Sequence, residues 1–186
     1  MKIFKYVFAL ILVITLASCS DDDTPEPVNE EEVITTLTAT LTATDAATVT
    51  LQTRDLDGNG PDAPVISSPN VLLPNTTYQG RIELLNEAES PAEYITEEVE
   101  EEDEEHQLFF STTGNITSVT YNDTDGNGNP VGLSFTVTTG DAGSGTITIT
   151  LRHEPNKTAD GVSDGDITNA GGETDITVTF DLTIQG

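Results

Sequence analysis

The chain has 186 residues, with 6 Lys+Arg against 33 Asp+Glu, a formal charge of −27, one Cys and no Trp. The length suits one domain with tails, and the acidity excludes a nucleic-acid binder, which needs Lys and Arg to displace phosphate counterions. A single Cys excludes an intramolecular disulfide and any multi-Cys zinc or iron–sulfur centre.

Residues 1–18 read as a secretory signal: Lys2 and Lys5 are basic, Tyr6 to Leu16 is apolar, and small Ala17 and Ser18 precede Cys19. The apolar run is shorter than the ~20 residues of a membrane span. Leu16-Ala17-Ser18-Cys19 resembles the lipobox of bacterial lipoproteins. That resemblance implies cleavage before Cys19 and acylation, by palmitate-like chains, of its thiol and its new amine. Several acyl chains hold a protein stably on a bilayer, so membrane contact is expected through lipid at Cys19 and needs no basic patch. Residues 19–32 form an expected tether, in which Asp21 to Asp23, Pro25, Pro27 and Glu30 to Glu32 are too polar and self-repelling to fold. Ser20-Asp21-Asp22-Asp23 resembles the acidic stretch that follows the lipid Cys in Bacteroidetes lipoproteins sent to the cell surface. Its implication is an outer-membrane, lipid-anchored, surface-exposed protein.

From residue 33 to 186 the dominant period is two. Leu37, Ala39 and Leu41 alternate with threonines, as do Val49 and Leu51, then Ile147, Ile149 and Leu151, then Ile176 through Ile184. Ile82 and Leu84 mark another such run, and Leu133, Phe135 and Val137 a further one. Each predicts a strand with one apolar and one hydroxyl-bearing face. Short Gly-, Asn- and Asp-rich joins predict antiparallel pairing, including a hairpin in which Thr113-Gly114-Asn115 links Leu108–Thr112 to Ile116–Tyr121. The expected fold is mainly β: an antiparallel β-sandwich, immunoglobulin-like or similar, of about eight strands with one acidic helix inserted. Ser90-Pro91-Ala92-Glu93 predicts the start of that helix through a capping box. Ala92, Ile95 and Val99 supply its apolar stripe, and residues 97–105 contain eight acids in nine positions.

Three places are candidates for cation chemistry. Asp55, Asp57 and Asn59, with Asp62 nearby, and Asp123, Asp125 and Asn127 each lie in a D-x-D-G-N-G stretch. Oxygen ligands at alternate positions around a Gly turn are how calcium loops wrap a hard cation, though neither stretch has the twelfth-position Glu of an EF-hand. The same dipeptides also make ordinary turns. Glu98, Glu102 and His106 recur at intervals of four, which places them on one face if the helix extends that far, and a carboxylate–imidazole pair suits a transition metal better than calcium. The acidic loop Asp160–Asp166 reads as a plain connection.

Catalytic constellations are thin. Two His, four basic residues beyond the signal and no free thiol once Cys19 is acylated leave little for nucleophilic or phosphoryl chemistry. No G-x-S-x-G, H-E-x-x-H or P-loop occurs. No enzyme is expected.

Arg54–Gly60, the phrase Tyr78-Gln79-Gly80-Arg81-Ile82-Glu83-Leu84-Leu85-Asn86-Glu87, Ser90–Glu93 and Glu105-His106-Gln107-Leu108-Phe109-Phe110 together resemble a family of surface lipoproteins from flavobacteria and their relatives. Some members carry the label of a type 1 periplasmic binding fold, an architecture of two α/β lobes, whereas the periodicities here give strands and one helix. The expectation is therefore a lipid-anchored surface binding module, cation-binding through the acidic helix and the D-x-D-G loops, with an outer-membrane transporter or a surface ligand as partner. Two alternatives are a structural or adhesive domain with calcium-stabilised loops and a carbohydrate or peptide binder. Calcium or a transition metal is the expected cofactor in the cation reading.

Overall fold

The computed structural model describes residues 32–58, 60–68 and 71–186. The signal, Cys19, the tether up to residue 31 and Asn59 lie outside these. Among the described residues there are ten strands and one α-helix. The strands are β1 (Thr36–Thr42), β2 (Val49–Arg54), β3 (Val65–Ser67), β4 (Val71–Leu72), β5 (Thr77–Leu85), β6 (His106–Gly114), β7 (Ile116–Tyr121), β8 (Ser134–Thr139), β9 (Gly143–His153) and β10 (Glu173–Ile184), and the helix is α1 (Ile95–Glu101). A six-stranded sheet in the order β3-β2-β1-β5-β8-β7 faces a four-stranded sheet in the order β4-β10-β9-β6. The mainly-β sandwich read from the period-two runs is what forms. β3 and β4 are additional, too short for a period to register.

The alternation is realised as sheet faces. Leu37, Leu41, Leu51, Leu84, Phe135 and Val137 of one sheet meet Leu108, Ile147, Ile149, Leu151, Phe180 and Leu182 of the other in a single apolar core. Phe135 lies so close to β5 that a Cβ on Gly80 would sit 2.4 Å from the ring. The threonines on the outer face of the smaller sheet meet each other as well as water. Thr148 bonds Thr179 at 2.8 Å and Thr150 bonds Thr177 at 2.9 Å, directly across the β9–β10 ladder.

Three expectations are corrected. The Leu108–Tyr121 hairpin does not form: β6 pairs with β9 and β7 with β8, so the chain changes sheets at Gly114. It changes back between β8 and β9, and Asn115 pins the two crossovers together through Gly140 N–H to its carbonyl at 2.8 Å and its own Nδ2 to the Asp141 carbonyl at 2.9 Å. Pairing is antiparallel everywhere except between β4 and β10, which run parallel. The helix has no capping box. Asn86 and Glu93 exchange two backbone hydrogen bonds of 3.0 Å, which hold Glu93 in an antiparallel bridge. Extended backbone there postpones helix to Ile95, with Tyr94 as an N-cap that makes no side-chain bond. The Thr96 hydroxyl clasps the backbone of Leu84, seating α1 at the edge of β5 beyond the end of β8.

Candidate functional site

α1 ends at Glu101, and a turn over Glu102–Glu105 delivers the chain into β6. Like charges along the helix and anions at its C-terminal end both oppose continuation. Glu98, Glu102 and His106 therefore do not share one helical face, because His106 is the first residue of a strand. Glu102 and His106 nevertheless meet: His106 Nδ1 lies 3.2 Å from the Glu102 carbonyl oxygen.

The β6–β9 register sets His106 opposite His153, on the inward face that Leu108 and Leu151 continue. The two imidazoles stack, with centroids 4.6 Å apart and planes 18° from parallel, and are 0% and 5% exposed. They close the end of the core beneath the acidic turn. His153 Nε2 faces Glu105 Oε2 at 3.9 Å. His106 Nε2 and His153 Nδ1 are buried and have no hydrogen-bond partner. Burial holds the His106 imidazole below the ordinary histidine range, against the opposing pull of the Glu102 carbonyl, and His153 adds to the lowering. One donor atom each from Glu102, His106 and His153 lies within 4.8 Å of the other two, and Glu105, His153 and Glu154 form a second such group.

On the same end, Glu98 is pushed up to about 7 by burial, by donating its proton to Glu32, and by the charges of Glu32 and Glu93. Because this value lies above the ordinary 4.5, the folded protein holds a proton that the unfolded chain has released. Stability is thus expected to fall as pH rises from 4.5 to about 7 through this group. The lowered His106 imidazole overlaps that window with the opposite sign, so the measurement is the difference between wild type and Glu98→Gln. The variant should gain on wild type between pH 5 and pH 8. An unchanged difference would mean that Glu98 titrates as a free carboxylate.

The D-x-D-G loops are held differently. Asp123 accepts from the amides of Gly132 at 2.8 Å and Ser134 at 2.7 Å. Asp125 accepts from the amides of Asn127 at 2.9 Å and Asn129 at 2.8 Å, and from Lys157 Nζ at 3.1 Å. Asn127 enters through its backbone. Lys157 also donates to the carbonyls of Asp103 and Pro130, so an ammonium stands where an oxygen-ligated cation would. Burial raises the Asp125 carboxyl, but the bonds from Asn129 and Lys157 more than cancel that and leave it below the ordinary range. In the first loop Asp57 Oδ2 accepts from the Asp62 amide at 3.2 Å, closing a short turn. The Asp55 amide bonds the Thr35 carbonyl at 2.7 Å, while its Oδ1 is buried and unpartnered.

The acidic loop after β9 is more than a connection. It contains short 3-10 turns at Val162–Asp164 and Ile167–Asn169, and it packs Val162 and Ala170 on Phe109, covering the outer face of the smaller sheet. Asp166 caps the second turn through the Thr168 amide at 2.9 Å.

The structure thus gathers Glu102 and His106, adds His153, and keeps the two D-x-D-G loops as separate sites. Lys157 was not among the candidates. The hint was compositional: it is one of four basic residues after residue 18 in a chain this acidic. No protein-family model, curated protein or solved structure matches the chain, and the chemistry of this site rests on its own residues.

Proposed function

We propose that the protein is a lipid-anchored module of the outer-membrane surface that binds a divalent cation at its acidic end, beside a transporter or a surface ligand, and that it has no catalytic role. The observation that supports this is the acidic turn after α1 folded over two buried imidazoles with unpartnered nitrogens. The anchor rests on the Cys19 lipobox, and loss of palmitate labelling in Cys19→Ala is the expected check. Cation binding is tested by thermal unfolding of the chelator-stripped full chain in detergent against calcium, zinc, manganese, ferrous iron and magnesium. A native-state ligand at ~100 Kd adds ~2.7 kcal/mol. A small and equal gain with every ion would be charge screening and would sink the proposal.

A second reading, carbohydrate binding, is favoured by a groove of about 670 Å³ on the outer face of the six-stranded sheet. Tyr94, 57% exposed, stands beside it, with Thr40, Gln79, Arg81 and Ser134 offering donors and acceptors. An aromatic face with convergent polar groups suits a sugar ring. In the adhesive reading, calcium at the second loop would have to displace Lys157.

A further inference from the structure

We infer that Glu102, His106 and His153 form a binding site for a borderline-soft divalent metal, zinc being the best match, and not for calcium or magnesium. The inference deepens the cation reading and rests on it.

Each ring has one nitrogen turned toward an oxygen, at hydrogen-bond distance for His106 and at 3.9 Å, beyond it, for His153. His106 Nδ1 faces the Glu102 carbonyl, and His153 Nε2 faces the Glu105 carboxylate. Metal-bound histidines use their second nitrogen in this way, donating to a carbonyl or carboxylate that fixes the tautomer. A proton on His106 Nδ1 puts that ring's lone pair on Nε2, and a proton on the His153 nitrogen nearest Glu105 would put the other lone pair on Nδ1; these are the two nitrogens that are buried without a partner. Leaving two buried acceptors unsatisfied is costly, and coordination would satisfy both.

Donor type selects the ion. Imidazole suits zinc, copper and nickel, whereas calcium and magnesium seek six or more oxygens. The Glu102 carboxylate adds one oxygen, from an exposed side chain that gives an entry path. Bonds of ~2.1 Å to zinc bring tetrahedral donors to about 3.4 Å from one another. The cluster spans up to 4.8 Å, and because an imidazole lone pair lies in its ring plane, the near-parallel rings have to swing out of their stack, with Glu102 turning inward, before all three donors face one metal. Three protein donors leave zinc one short of its usual four, a place that water or an outside ligand would fill. A bound metal would therefore pin the acidic turn to the end of β6 and β9 and still accept an outside ligand.

The test uses the full chain in detergent, stripped with chelator, with zinc alone as ligand and cobalt(II) as a spectroscopic stand-in. Zinc should raise the melting temperature where equal calcium or magnesium does not, and cobalt should give the intense visible band of a four-coordinate site. Glu102→Gln, an exposed change, should keep the metal-free melting temperature and lose the zinc shift. Glu105→Gln should weaken zinc about tenfold or more, as a lost outer partner does. His153→Gln, read against its own metal-free value, should lose both shift and band, and Glu100→Gln should leave both intact. A zinc shift that survives Glu102→Gln and His153→Gln would overturn this site while leaving cation binding standing. No shift with any divalent ion would overturn both.

Discussion

Lys157→Met is expected to destabilise the protein by about 3–5 kcal/mol, the usual cost of removing one partner from a buried ion pair. The Lys157 and Asp125 side chains are 4% and 1% exposed, so neither charge can turn to water for its solvation. Methionine matches the length of the stem but leaves the Asp125 carboxylate without its counter-charge and the carbonyls of Asp103 and Pro130 without a donor. Urea denaturation gives the loss as a shift in midpoint at constant m-value. The double variant Lys157→Met with Asp125→Asn should recover part of it, because no unpaired charge then remains. Since the Asp125 carboxyl lies below its ordinary 3.8, its contribution is present above that pH and is lost as pH falls through the lowered value. A cost under about 1 kcal/mol for Lys157→Met would show that the pair is solvated like a surface bridge. Because Lys157 also holds Asp103, the same substitution should loosen the turn that carries Glu102.

Gly114→Ala is the second large effect, about 3 kcal/mol or more. Gly114 has φ of +62°, a left-handed conformation that costs an L residue about 1–2 kcal/mol. Space is a separate problem, since an added Cβ would lie 2.2 Å from the Ser144 carbonyl oxygen and 2.8 Å from the Gly145 Cα. Both neighbours are backbone of β9 and cannot swing aside. Gly128→Ala isolates the first contribution, because φ there is +87° but nothing lies within 4 Å of the new Cβ. That control should lose only about 1 kcal/mol. Equal losses at the two positions would mean that the close approach at the crossover relaxes freely.

The strands were legible because a half-buried strand must alternate, and Thr against Leu, Ile or Val makes the alternation plain in β1, β9 and β10. Sheet membership was not. Thr113-Gly114-Asn115 satisfies a tight hairpin and a sheet-to-sheet crossover equally well, and only the pairing of β6 with β9 decides between them. Ser90–Glu93 carries a sound helix-start pattern that a tertiary bridge to Asn86 overrides. Glu102 and His106 meet through a turn and a backbone carbonyl, not on the shared helical face that their spacing suggested, and Glu98 does not join them. His153 could join only through strand register, which local patterns do not encode. Asp123 and Asp125 show the ambiguity of D-x-D-G: oxygens that suit calcium suit backbone amides and an ammonium just as well.

A chain that emerges N-terminus first has all six strands of the larger sheet available by Thr139, yet only β4, α1 and β6 to cover their apolar face. The opposing sheet is organised around β10, which sits between β4 and β9 and is the last strand to appear. Until Glu173–Ile184 arrive, Phe180 and Leu182 are missing from the core and β4 lacks the strand it pairs with among the described residues. The smaller sheet can therefore be completed only late in synthesis, through contacts distant in sequence. Such a delay makes the Thr-rich alternating strands the segments most in need of protection from mispairing while they wait.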